Sequence, residues 1–230
     1  MDKPHVCAVT PVVGGVVEGV AEGKAIARFV FAHGAGAGMD TDFMVEVSRL
    51  LALKQIESVR FNFPYMQIMS ETGKRRPPNR MPQLLEYYKD FIEGLAEQVK
   101  TLNGDLPLFI GGKSMGGRAS TMLVTQPELK GLIKGVIALG YPFHPSGKPE
   151  KLRVDHLPDM LAPCLIIQGD RDPMGRKEEI AGYDLPKALE LVYLTDGEHG
   201  FKPRKASGVT LQDNLETAVE NMARFIVGLV

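Results

Sequence analysis

Short apolar runs alternate along the chain with longer stretches of helical spacing. Phe29–Ala32, Leu106–Ile110, Val136–Leu139, Leu165–Ile167 and Leu191–Leu194 are apolar runs of strand length. Continuity rather than alternation marks strands covered on both faces, as in parallel sheets. Val59–Phe63 alternates apolar and polar positions and reads as a further strand. Between these runs the spacing changes to three and four. Leu84, Leu85, Tyr88, Phe91, Ile92, Leu95, Val99 and Leu102 make one apolar face. Leu211, Leu215, Val219, Met222, Phe225 and Leu229 make another. Phe43, Val47, Leu50 and Leu51 mark a shorter helix with Asp40 or Thr41 as its N-cap. Strand and helix in repeated alternation predict an α/β fold, a mostly parallel sheet with helices on both faces.

Two segments break this rhythm. Residues 62–81 carry Pro64, Gly73, Pro77 and Pro78. They read as a loop of about twenty residues, a length that compact domains use mainly for function or leave disordered. Residues 141–158 carry Pro142, Pro145, Gly147 and Pro149. Strands resume on both sides of each segment, so neither is a domain linker. Residues 1–230 read as one domain, which the length allows. Lys and Arg total 27 against 28 for Asp and Glu, a net charge of −1. No global basic field is present to hold nucleic acid or anionic lipid. The start, Met1–His5, lacks a targeting pattern, and the longest apolar runs are strand-sized, far short of a membrane helix. The two cysteines, Cys7 and Cys164, fit a reducing compartment, so a cytoplasmic protein is expected. His5, His144 and His156 are scattered and no metal-ligand spacing occurs, so neither metal nor cofactor is expected.

The sharpest chemical signal is Leu108-Phe109-Ile110-Gly111-Gly112-Lys113-Ser114-Met115-Gly116-Gly117. Gly112-x-Ser114-x-Gly116 matches a nucleophile elbow, with an apolar strand before it and a helical segment after it. The turn throws the serine above the sheet, and the flanking positions must be tiny to let strand and helix approach. The alternative is a Gly-rich turn with a solvated serine. A phosphate-binding P-loop fails, because its first glycine falls on Pro107. Gly34-Ala35-Gly36-Ala37-Gly38 resembles a dinucleotide loop, but Met39 stands where its third glycine belongs. His33-Gly34-Ala35-Gly36 better suits an oxyanion loop, with the backbone N–H groups of Ala35 and Met115 as donors and His33 as a structural residue. Such donors supply roughly 3–4 kcal/mol each of transition-state stabilisation.

An elbow of this kind is followed in chain order by an acid and then a histidine. The run Cys164–Gly169 leads to Asp170-Arg171-Asp172, and Leu191–Leu194 leads to Glu198-His199. Asp172 is chosen as the acid, with Asp170 the alternative, and His199 as the base. Positive charge gathers in two places. Lys74, Arg75, Arg76 and Arg80 oppose only Glu71, and Lys202, Arg204 and Lys205 stand unopposed. Lys113 and Arg118 flank the serine. Arg75, Arg76, Arg118 and Arg204 are therefore candidate clamps for an anionic substrate group, the alternative being solvated loop charges.

With these residues in view the chain resembles α/β-hydrolases of the dienelactone-hydrolase-like group. More narrowly it resembles an uncharacterised family that includes the hydrolase-like domain of a non-catalytic subunit of the non-specific-lethal histone acetyltransferase complex. The matching stretches include Ala32–Gly36, Arg60–Tyr65, Gly111–Arg118, Leu139–Pro145, Gln168–Asp172 and Asp196–Lys205. The resemblance implies an α/β-hydrolase fold without a large lid, where only residues 62–81 and 141–158 are left to cover the site. Two functions compete. One is a serine hydrolase acting on a small ester or thioester. The other is an interaction module that keeps the fold and has lost turnover.

Overall fold

The apolar runs pair into an eight-stranded sheet. The computed structural model describes residues 9–12, 14–99 and 105–230. Met1–His5, Cys7 and Leu102 lie outside the described residues. In chain order the elements are β1 (Val9–Val12), β2 (Gly15–Glu18), β3 (Ala27–Ala32), α1 (Asp42–Ala52), β4 (Ile56–Phe61), α2 (Pro64–Thr72) and α3 (Met81–Val99). They continue as β5 (Leu108–Lys113), α4 (Met115–Leu123), β6 (Ile133–Leu139), β7 (Cys164–Gly169), α5 (Lys177–Ile180), β8 (Leu189–Leu194) and α6 (Leu211–Val227). The sheet order is β1-β2-β4-β3-β5-β6-β7-β8. The strands from β4 to β8 run parallel, while β2 pairs antiparallel with both β1 and β4.

Alternate side chains of each central strand enter two cores. Phe29, Phe31, Ile137, Leu139, Leu165 and Ile167 pack beneath α1 and α6. Val30, Ile110, Val136, Ala138 and Ile166 pack beneath α3 and α4. Burial on both faces explains why these strands carry unbroken apolar runs. Helix α1 is preceded by Thr41, whose side chain makes no capping bond.

One pair of strands is new and two expectations are corrected. The edge hairpin β1–β2 was not foreseen, because four-residue strands carry too little pattern. The alternation in Val59–Phe63 marks no solvent face: the strand is Ile56–Phe61, buried throughout. Its two charged side chains are paired instead. Arg60 lies 3.4 Å from Glu18 of β2, and Glu57 pairs with Arg28 of β3. Residues 62–81 are not one long loop, because α2 occupies Pro64–Thr72. Pro64 sits at the first helical turn, where its missing N–H costs nothing, and Gly73 ends the helix with φ 67°. No helix among the described residues is long and apolar enough to cross a membrane.

Candidate active site

Strand β5 delivers Ser114 to the carboxyl edge of the sheet with φ 51° and ψ −112°. A non-glycine residue there is strained, and such strain clusters at functional turns. The motif glycines make the turn possible. A Cβ on Gly116 would lie 2.5 Å from Ala32 O, and one on Gly112 would lie 2.6 Å from the same atom. The Ser114 N–H donates to Leu139 O at 2.9 Å, tying the elbow to β6. Met115 opens α4, so its N–H is among the helix-start donors without an intrahelical acceptor.

The turns after β7 and β8 interlock. Asp170 accepts the Asp196 N–H at 3.0 Å, and Arg171 N–H donates to Gly197 O at 2.9 Å. Gly169 is needed beneath them, since a Cβ there would lie 2.5 Å from Glu198 O. This junction brings Asp172 and His199 together. His199 Nδ1–H donates to Asp172 Oδ2 at 2.7 Å, and His199 Nε2 lies 2.9 Å from Ser114 Oγ, placed to accept its proton. Asp172 is fully buried, and its other oxygen accepts the Met174 N–H at 2.8 Å. Asp170, the alternative acid, is turned to Asp196, and the imidazole Nδ1 is bonded to Asp172 instead.

Two supporting residues carry roles that sequence reasoning did not assign. The Gln168 amide nitrogen lies 3.0 Å from Asp172 Oδ2 and 3.1 Å from Tyr141 O, which fixes the carboxylate from behind. The signal available was a polar residue at the end of an otherwise apolar strand. Lys113 donates from Nζ to His199 O at 2.6 Å, with its ammonium 5.6 Å from both the Phe43 and Phe201 ring centroids. Burial lowers its pKa to about 8, against the opposing pull of Asp172 and Glu198.

The loop after β3 borders the serine. His33 is fully buried, and burial lowers its pKa to about 4. The neutral ring donates from Nδ1 to Gly34 O at 2.6 Å and accepts the Phe63 N–H at Nε2, 3.0 Å away. It is a structural residue, as its place in the loop suggested. Ala35 lines the cavity that holds Ser114 and His199.

That cavity has a volume of about 850 Å³. Its walls are largely apolar, with Phe43 and Met44 from α1, Met174, and Leu211 and Leu215 from α6. The charged groups on it are Asp42, Glu46 and Glu198 against Lys113 and Lys202. None of the four arginines expected to clamp substrate is among its lining residues. Arg204 is held by Asp196, at 2.5 Å from Nη2 to Oδ1. Arg76 borders a separate depression with Pro64, Tyr65 and Ile68. Arg75 is exposed. Arg118 lies near enough to Arg153, His156 and Tyr141 for its charge to act on all three. Residues 62–81 and 141–158, the expected covers, also contribute nothing to the lining.

Solved structures share this architecture. A dienelactone hydrolase from Anabaena variabilis matches with TM-score 0.68 and 18% identity, covering 98% of this chain and 100% of that one. A soluble variant of monoglyceride lipase from Saccharomyces cerevisiae matches with TM-score 0.66 and 15% identity over 97% and 95% of the two chains. XC6422 from Xanthomonas campestris, described as an α/β serine hydrolase without lid, matches with TM-score 0.65 and 21% identity over 95% and 94%. At these identities the likeness is one of fold. The family model described as an alpha/beta hydrolase domain matches residues 25–227, and the chain belongs to that family.

Proposed function

We propose that this protein is a serine hydrolase that cleaves a small, uncharged carboxylic ester or thioester. The observation that carries the reading is the continuous chain from Asp172 through His199 to Ser114, with links of 2.7 and 2.9 Å. Ser114 Oγ attacks the carbonyl carbon and passes its proton to His199 Nε2. Asp172 holds the Nδ1–H tautomer and stabilises the imidazolium that forms. The oxyanion is received by the Met115 N–H and by N–H groups of the loop after β3. His199 then gives its proton to the departing alcohol or thiol, leaving an acyl group on Ser114 that water removes by the same steps. The neighbours named as hydrolases and a lipase support the reaction type.

Apolar walls favour an apolar acyl or leaving group, and the acidic groups around them disfavour an anionic one. A free and buried Cys164 suits a cytoplasmic setting. The test is labelling with a fluorophosphonate, followed by turnover of p-nitrophenyl butyrate. Wild type should label and hydrolyse, and Ser114→Ala should do neither while keeping its melting temperature. A wild-type chain that does not label would instead be the interaction module.

A further inference from the structure

Behind the loop after β3 lies a tyrosine that does not line the cavity. Tyr65 belongs to the first turn of α2 and is buried. Its N–H donates to Asn79 Oδ1 at 3.1 Å, fixing the start of the helix. Its hydroxyl reaches Ala35 O at 3.0 Å and Gly34 O at 3.3 Å. The Gly34 carbonyl also receives the His33 Nδ1–H. Burial holds the Tyr65 pKa well above its ordinary value, so the phenol stays a donor.

We propose that Tyr65 is a positioning residue for the oxyanion, setting the direction of the Ala35 and Gly36 N–H groups. This rests on the serine-hydrolase reading. The argument is one of peptide geometry. In a planar trans peptide the C=O and N–H point in opposite directions. The Gly34 carbonyl shares its peptide with the Ala35 N–H, and the Ala35 carbonyl shares its own with the Gly36 N–H. Holding both carbonyls on the Tyr65 side turns both N–H groups to the other side. Gly34, Ala35, Gly36 and Ser114 line one cavity, and Tyr65 is not part of that lining. Two successive N–H groups aimed the same way form an anion-binding nest. The Phe63 N–H bonded to His33 ties the same loop to the residue before α2. Without the Tyr65 hydroxyl the Gly34 carbonyl keeps its His33 bond, but the Ala35 carbonyl loses the phenol that holds it, and rotating that peptide by half a turn replaces the Gly36 N–H donor with a repelling carbonyl.

The experiment compares wild type, Tyr65→Phe and Tyr88→Phe. Tyr88 is the matched control, because its buried hydroxyl bonds Val30 O and Gly111 O inside the sheet rather than the loop. In Tyr65→Phe, kcat and kcat/KM for p-nitrophenyl butyrate should fall together by about ten- to a hundred-fold, with KM unchanged, because only the transition state uses the nest. A trifluoromethyl ketone, to which Ser114 Oγ adds while its proton passes to His199, should weaken by the same factor. Amide exchange at Ala35 and Gly36 should quicken. Tyr88→Phe should lower the melting temperature yet leave kcat within a few-fold of wild type. A Tyr65→Phe enzyme with wild-type kcat and ketone affinity overturns the proposal while the hydrolase reading stands. A wild type that fails to label at Ser114 removes the oxyanion role with the reaction, and unchanged exchange in Tyr65→Phe then removes the loop-setting role as well.

Discussion

Arg171 and Arg204 lie on either side of the Asp196 carboxylate, Arg171 Nε at 2.8 Å from Oδ1 and Arg204 Nε at 3.1 Å from Oδ2. Arg75, Arg76 and Arg80 project from the segment between α2 and α3, where no carboxylate partner is found for them among the described residues. As sequence the two segments look alike, for each is a basic run after a strand. In space one is a knot and the other a fringe. Asp196 sits at φ 53° and takes its N–H to Asp170 and its Oδ2 to the Arg204 N–H. Hydrogen bonds from Arg204, then the Arg171 charge, hold its carboxyl below the ordinary range. The knot therefore fixes the turn that precedes His199. Its charges brace the loop that carries His199, and neither arginine lines the cavity. The lesson is that a run of arginines acquires a role from the carboxylate it meets, which composition does not reveal.

The sharpest test within the knot separates its carboxylates. Asp172→Asn should cost on the order of 10⁴-fold in kcat, the loss expected when the base is held in the wrong tautomer. Asp170→Asn should cost far less, since that carboxylate serves a backbone N–H two residues into the next turn. The reverse ranking of the two variants would hand the role of acid to Asp170.

Acid distinguishes the braced loops from the fringe in another way. The pKa of His33 is lowered to about 4 from 6.5. The unfolded chain therefore takes up a proton below pH 6.5 that the folded chain refuses until about pH 4. Stability is complete above pH 6.5 and falls as the pH drops toward 4, by about 3 kcal/mol at 1.36 kcal/mol per pH unit. His156, also lowered to about 4, adds to the same window. Urea midpoints should drop more steeply between pH 6.5 and 4 in wild type than in His33→Gln. Parallel curves would show that the ring is not held neutral.

Removing the centre of the knot should have a smaller effect on rate. Asp196→Ala frees Arg171 and Arg204 and loosens the turn before His199. An imidazole displaced by about 1 Å costs up to a hundred-fold, so a ten- to hundred-fold loss in kcat is expected, with KM little changed. Full activity in Asp196→Ala would mean that Lys113 and Gly169 hold the base loop without the arginines.

What could be read from the sequence follows the same division between local and distant causes. The elbow was legible because Gly112 and Gly116 stand at fixed spacing about Ser114 and because β5 and α4 announce themselves on either side, although the Ala32 carbonyl that both glycines make room for lies in β3. The meeting of Ser114, Asp172 and His199 was legible because each follows an apolar run of strand length, although β8, at the sheet edge, proves only partly buried rather than covered on both faces. Helix α2 was hidden by its own boundary residues: Pro64 and Gly73, which start and stop a helix, were read as loop punctuation. Lys113 bonds a carbonyl that lies 86 residues away, and Gln168 bonds a turn set by β6. A polar residue at the end of an apolar strand marks Gln168, but nothing near either residue in the sequence names its partner. The place of the four arginines away from the cavity lining was hidden for the same reason, since Arg204, for one, is held by Asp196.

The fringe gives the smallest expected effect. If Arg75 and Arg76 were clamps, Arg75→Ala/Arg76→Ala would selectively slow a carboxylate-bearing ester. Neither residue lines the cavity, and the lining carries Asp42, Glu46 and Glu198 instead. Steering is the remaining route, and at 0.1 M salt a charge acts over about 10 Å before it is screened. The double variant should therefore change kcat/KM for a neutral ester and for its carboxylate analogue by the same small factor. Its stability should stay within about 0.5 kcal/mol of wild type, as for other exposed side chains without partners. The neutral ester should remain the better substrate throughout, because the carboxylate analogue meets the acidic lining whether or not the fringe is present. A wild-type preference for the carboxylate analogue that disappears in the double variant would return these arginines to the site. It would also require the segment between α2 and α3 to swing across the cavity from its present place beside Tyr65.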